Sequence, residues 1–228
     1  MTSTQLNPAS EFNKSEARFN MIEQQIRTWE VLDPKVLGLF DTVKRENFVA
    51  ESQVGLAFAD VELPIGFGQT MLSPKLEGRI LQALDVKKTD KILLVGTGSG
   101  YLTALLASLG EHVHAVEIHP ELSALAQAHL QKQKIHNVTL HVADGVNGFA
   151  DAAPYDVIVF AGALEQRSVA AERMLNIGGR LFVVTGEMPI MNATLTLRVA
   201  EEAFRHETLF ETCLPYLEHA PKSSQFTF

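Results

Sequence analysis

Cysteine is nearly absent from this 228-residue sequence. Cys213 is the single one, so no internal disulfide can staple the fold, and such usage suits a reducing cytosol. Positive charge is also short. Nineteen Lys and Arg stand against 27 Asp and Glu, a formal −8. That balance argues against a polyanion such as duplex DNA as the main partner, because phosphate contacts need a basic surface. No apolar run approaches the roughly 18 residues of a membrane-spanning helix, and the polar stretch Met1 to Ser10 lacks a signal-peptide apolar region. Several chemical signatures are missing too. There is no Gly-x-Ser-x-Gly nucleophile elbow. No Cys-x-x-Cys pair or His-Glu-x-x-His pattern accompanies the eight histidines, although His112 and His114 share one strand face, so no metal site is expected. Repeats and low-complexity tracts are absent. What these exclusions leave is a soluble cytoplasmic protein that binds neither nucleic acid nor membrane.

What is present is globular: 46 % hydrophobic and 20 % charged residues, in a length that favours one domain. Residues 1–14 are polar and expected to be flexible. Residues 15–72 read as N-terminal helices followed by an irregular loop, and residues 73–228 as an α/β core. Phe19, Ile22, Ile26 and Trp29 recur as one face of an amphipathic helix. Asp33-Pro34 reads as an N-cap before proline at the first helical position, opening a helix with Val36, Leu37, Phe40 and Val43 on its stripe. Pro64, Gly66 and Gly68 mark a turn-rich segment. Ser73-Pro74 opens the next helix, bearing Leu76, Ile80, Leu81 and Leu84. Strands are expected at Ile92–Val95, Val113–Glu117, Val138–Val142, Val157–Phe160 and Leu181–Val184, with helices at Tyr101–Leu109, Pro120–Gln133 and Val169–Leu175 between them. Such alternation implies a doubly wound, mostly parallel, seven-stranded sheet. Thr194–Val199 and Thr208–Leu214 alternate without a long helix and read as a terminal antiparallel pair, with Cys213 as a small buried residue.

The strongest chemical signal is Gly96-Thr97-Gly98-Ser99-Gly100, between a buried strand and a helix. Its glycines permit a tight turn and close approach of a ligand to the helix N-terminus. A dinucleotide fingerprint would require glycine at position 101, where this chain has Tyr101. The shorter Gly-x-Gly-x-Gly resembles motif I of class I S-adenosylmethionine-dependent methyltransferases. Glu117 ends the next strand about twenty residues on, where a carboxylate can accept both ribose hydroxyls, with Ile118 beside it. Asp144-Gly145 ends the third strand at the same sheet edge, where the carboxylate can accept from an adenine amino group or close an Asx turn. Asp156 precedes its strand and reads as structural.

More specific likenesses surround that loop. Lys44-Arg45-Glu46-Asn47-Phe48-Val49, Leu63-Pro64-Ile65-Gly66-Phe67-Gly68-Gln69-Thr70 with Pro74, Asn137-Val138, Ala153-Pro154-Tyr155-Asp156 and Gly178-Gly179-Arg180-Leu181 follow one another in order. From about Met21 to Gly186 the sequence resembles the protein-L-isoaspartate O-methyltransferases, cytosolic repair enzymes that methylate isoaspartyl carboxylates. The resemblance implies a Rossmann-like methyltransferase fold, S-adenosyl-L-methionine as cofactor with S-adenosyl-L-homocysteine as product, damaged proteins or peptides as substrate, and a monomer or homodimer. It departs from the family pattern at three places. Leu72 stands where a hydroxyl residue is usual, Leu94 where an acidic one is usual, and Phe160-Ala161-Gly162 where Thr-Ala-Ala is usual. Thr70 and Ser73 are therefore the candidate catalytic hydroxyls, Ser73 competing with a role as helix N-cap. Two rival readings stand beside this one: a methyltransferase of the same fold with another acceptor, and a non-catalytic homologue that binds the cofactor.

Overall fold

The computed structural model describes residues 13–221. Most of the expected flexible N-terminus, residues 1–12, lies outside the described residues. Its last two residues are ordered: the Asn13 side chain accepts from the amides of Ser15 and Glu16, and Lys14 begins helix α1 (Lys14–Asn20). The chain then passes through a π-helical turn, Met21–Ile26, which rotates the buried face. Met21, Ile22 and Ile26 go inside, while Phe19 and Trp29, one on each side of the turn, are exposed. The single stripe expected from 3.6-residue spacing is therefore broken. Helix α2 (Pro34–Thr42) follows the expected design, with Asp33 accepting from the Lys35 amide and Val36, Leu37 and Phe40 buried.

The turn-rich stretch is a short hairpin, β1 (Leu63–Gly66) with β2 (Gln69–Met71), closed by Phe67 and Gly68 at positive φ. Helix α3 (Pro74–Leu84) leads into the sheet. Its seven strands are β3 (Lys91–Val95), β4 (His112–Glu117), β5 (Val138–Val142), β6 (Tyr155–Leu164), β7 (Leu175–Glu187), β8 (Ile190–Ala200) and β9 (Ala203–Thr212), in the order β5-β4-β3-β6-β7-β8-β9. The five strands from β5 to β7 are parallel; β8 runs antiparallel to β7 and to β9. The doubly wound plan and the antiparallel end are thus as expected. Strand order reverses between β3 and β6, and in open α/β sheets a ligand crevice forms outside the strand ends at that point. Asp156 lies within β6, not ahead of it, and ties Lys91 N–H and Asn176 Nδ2 to that strand. The helix expected to reach Leu175 stops earlier, as α6 (Val169–Arg173), because Leu175 already pairs with Tyr155 in the sheet. Cys213, expected inside, is exposed just past the edge strand β9.

One face of the sheet carries α2, α3, α4 (Tyr101–Leu109), α5 (Pro120–Lys132) and the N-terminal turns in one apolar core. The opposite face is covered more thinly, by α6 and the stretch 143–153. At its margin a row of imidazoles fills the surface. His114 Nδ1 and His141 Nε2 lie 3.2 Å apart, and the His112 ring is 4.9 Å from His114. No described helix is long and apolar enough to cross a membrane.

This row makes stability depend on pH. Burial, then the neighbouring His112, His141 and Lys91, hold the His114 imidazole down at about 4, against 6.5 ordinarily. Burial also lowers His141. The unfolded chain therefore binds more protons between those values, so stability present above pH 6.5 is lost as pH falls toward 4. Urea midpoints measured from pH 7.5 to 4.5 will fall, and His114→Gln will flatten part of that slope; an unchanged slope would contradict the assignment.

Candidate functional site

The site begins where β3 ends. Gly96, Gly98 and Gly100 all take positive φ, at 90°, 54° and 87°, which turns the chain from Val95 into α4 within five residues. The loop is pinned to the neighbouring strand: the amides of Gly96 and Thr97 donate to the Val116 carbonyl, at 2.9 and 3.3 Å. Gly98 N–H donates to Glu117 Oε2 at 2.8 Å, while His119 N–H donates to Oε1 at 3.1 Å. Glu117 thus has a role that its position in the sequence did not reveal, as clamp of the glycine loop. Each oxygen keeps a further lone pair unused by these two bonds.

An open cleft runs along these strand ends. Gly96, Thr97, Gly98, Ser99, Glu117, Ile118, Asp144 and Gly145 all line it, which brings together eight of the nine residues expected to bind a nucleoside. The ninth, Gly100, is turned against α5. Asp144 Oδ1 accepts from the Val146 amide at 3.1 Å, closing the Asx turn, and Oδ2 hydrogen-bonds His219 Nδ1 at 2.8 Å. A side chain at Gly145 would meet Val95 Cγ1 at 2.8 Å, so this glycine lets the chain leaving β5 lie close against the end of β3.

The far wall is the hairpin and its exit strand. Thr70, Met71 and Leu72 line the cleft, and Thr70 Oγ1 donates to Glu62 Oε2 at 3.0 Å. Ser73 does not join them. It has N-cap backbone angles, but its hydroxyl makes no capping bond, contrary to the capping role weighed from sequence. It lines a second cleft with Trp29, Lys75, Arg79 and Phe210. Leu94, the second departure, is fully buried in β3.

Two parts of the wall escape sequence reading. Glu77, from the first turn of α3, is 1 % exposed and borders the cleft. The stretch Pro215–Glu218 folds back across the β6 end: Ala163 N–H donates to the Pro215 carbonyl at 2.8 Å and Leu217 N–H to the Ala163 carbonyl at 2.9 Å. Glu218 Oε1 then accepts from Gln69 Nε2 at 2.9 Å and meets His119 Nε2 at 2.7 Å, while the Phe67 ring stacks on His119 at 4.9 Å. No periodicity or motif marks Pro215–Glu218 in the sequence.

The model of the family described as Protein-L-isoaspartate(D-aspartate) O-methyltransferase matches residues 16–210. A protein-L-isoaspartate O-methyltransferase of Koribacter versatilis is 39 % identical over 181 residues, covering 79 % of this chain and 81 % of the relative. One of Protochlamydia amoebophila is 37 % identical over 192 residues, covering 83 % and 90 %. Among solved structures, a protein-L-isoaspartate O-methyltransferase superposes with a TM-score of 0.76 at 20 % identity over 90 % of this chain, which spans only 66 % of that longer one. A putative enzyme of the same name from Plasmodium falciparum, in complex with S-adenosyl-L-homocysteine, gives 0.76 at 18 % identity, covering 91 % of this chain and 99 % of its own. At such identities the two structures establish the shared fold.

The glycine loop allows a direct check of its geometry. A Cβ at Gly100 would stand 3.1 Å from Ala126 Cβ and 3.2 Å from its Cα, at a φ that disfavours any side chain. Gly100→Ala should cost about 2–4 kcal/mol of unfolding free energy, from left-handed strain plus overpacking. A loss under about 0.5 kcal/mol in urea titration would contradict this packing of loop on α5.

Proposed function

The chain belongs to the protein-L-isoaspartate O-methyltransferase family, and from that premise we propose that it is a repair enzyme. It transfers a methyl group from S-adenosyl-L-methionine to the carboxylate of L-isoaspartyl residues in damaged proteins. The observation that carries this reading is one cleft holding the glycine loop, Glu117, Asp144 and the segment Gln69–Leu72 together.

The residues present fit the cofactor. A Cβ at Gly98 would stand 3.0 Å from Ile65 Cδ1, and one at Gly96 would stand 3.3 Å from Ala161 Cβ, so only glycines leave the cradle open. Thr97 Oγ1 is buried beside it without a partner. S-adenosyl-L-methionine supplies a methyl group activated by its sulfonium. Glu117 is proposed to accept from the ribose hydroxyls on its remaining lone pairs, and Asp144-Gly145, with Ile118, to hold the adenine. The loop from Gly96 to Gly100 and the amides opening α4 face the amino-acid end.

On the acceptor side, the substrate carboxylate is already ionised near neutral pH, so no strong base is needed. Thr70 is proposed to orient it by a hydrogen bond, its one hydroxyl proton turning from Glu62 to the substrate carboxylate. Leu72 lends an apolar wall that keeps water from the reacting oxygen. Rate then comes from alignment at near-attack distance and from dryness. The chain's −8 balance favours a protein partner over a polyanionic nucleic acid; the cytoplasm as its place of action, and a monomer or homodimer as its state, are proposed from the family resemblance alone.

Labelled methyl transfer from S-adenosyl-L-methionine tests the reading, with an isoaspartyl peptide against its aspartyl twin. Transfer at least a hundredfold faster to the isoaspartyl peptide is expected. Firm cofactor binding with no transfer to either peptide would overturn the proposed acceptor.

A further inference from the structure

Glu77 has no part in the chemistry above, yet it borders the cofactor cleft. It is 1 % exposed, and burying an ionised carboxylate is costly unless charge and hydrogen bonds compensate. Compensation comes from Arg45, equally buried, whose Nη1 donates to Glu77 Oε2 while its Nη2 donates to the Leu72 carbonyl at 2.6 Å. Glu77 Oε1 has no protein donor among the described residues. Tyr101, first residue of α4, packs beside the pair, its ring 5.3 Å from the Arg45 guanidinium, and its hydroxyl is spent on the Val43 carbonyl. Behind Arg45 lie Glu46 and Arg18, paired with each other, so the charges on that side offset one another. A half-used carboxylate therefore stands in the cleft wall near the start of α4.

Its site narrows what it can meet. The amino-acid end of the cofactor is a zwitterion, and the amide-rich N-terminus of α4 suits its carboxylate. That leaves the ammonium, which carries three N–H donors for an acceptor such as Oε1. A sulfonium offers no such donor, and a carboxylate in line with its methyl group would compete with the substrate as nucleophile. We propose that Glu77 anchors the α-ammonium of the bound cofactor, with Arg45 as the positioning residue that holds the carboxylate in place. The inference rests on the reading of this cleft as the S-adenosyl-L-methionine site.

The anchor has a titration signature. Burial, opposed by Arg45, pushes the free Glu77 carboxyl up to about 7. An ammonium beside it favours the ionised form, so binding at pH 7 expels a fraction of a proton, and affinity rises about tenfold from pH 6 to pH 8. Two ligands separate this from other titrations. S-adenosyl-L-homocysteine carries the ammonium; 5′-methylthioadenosine has the same nucleoside and thioether without the amino acid. Glu117 and Asp144 line the part of the cleft proposed for the adenosine, which both ligands share.

Isothermal titration of the intact protein in buffers of different ionisation enthalpy reads both proton release and affinity. The expected result is release and a tenfold pH dependence with S-adenosyl-L-homocysteine, neither with 5′-methylthioadenosine, and loss of both in Glu77→Gln while 5′-methylthioadenosine still binds. Identical pH profiles for the two ligands in the wild-type protein would overturn the inference and leave the cofactor site standing. Release with S-adenosyl-L-methionine but not with its product would assign Glu77 to the sulfonium and overturn it equally. Binding of neither nucleoside would remove the cleft reading and the anchor together.

Discussion

The buried guanidinium of Arg45 is the joint on which the site depends. It sits in the turn after α2, yet it donates to the Leu72 carbonyl between β2 and α3, to Glu77 in α3, and lies over the Tyr101 ring that opens α4. One cation therefore fixes the N-terminal helices, the acceptor segment and the glycine-loop helix relative to one another. Breaking a buried pair by removing one partner strands the other charge, at about 3–5 kcal/mol. The arrangement is thus costly to lose even though an apolar substitute for the whole pair could be as stable. What the ion pair contributes is placement: Leu72 is held facing the glycine loop, not away from it.

Around that joint the sheet supplies the rest. Strand order reverses between β3 and β6, so their carboxyl ends splay and leave the crevice that the hairpin and the stretch Pro215–Glu218 close from either side. Glu117 is shared between two tasks, clamping Gly98 and facing the cleft. The loop and its nucleoside partner are in this way set by a single side chain.

Much of this was legible beforehand because it is local. Three glycines after a run of Ile92–Val95, with Glu117 one strand later, state a turn, a helix start and a carboxylate at a sheet edge without any long-range information. The reading failed where distant parts decide. Phe19 and Trp29 keep helical spacing, but a π turn between them redirects the face. Ser73 has the sequence of an N-cap, yet its hydroxyl makes no capping bond and the residue lines a second cleft. Glu77 looks like a solvated first-turn acid until Arg45, 32 residues earlier, is placed on it. Pro215–Glu218 carries no pattern, since its position is set by distant partners, Ala163, Gln69 and His119.

The most direct test of the whole arrangement is a crystal structure with S-adenosyl-L-homocysteine and an isoaspartyl peptide bound together. The account predicts adenine beside Asp144, ribose on Glu117, and the peptide carboxylate between Thr70 and the cofactor sulfur, with room on the sulfur for a methyl carbon about 3–3.5 Å from the attacking oxygen. A peptide seated in the cleft of Ser73 and Trp29, or a nucleoside lying away from the glycine loop, would contradict it.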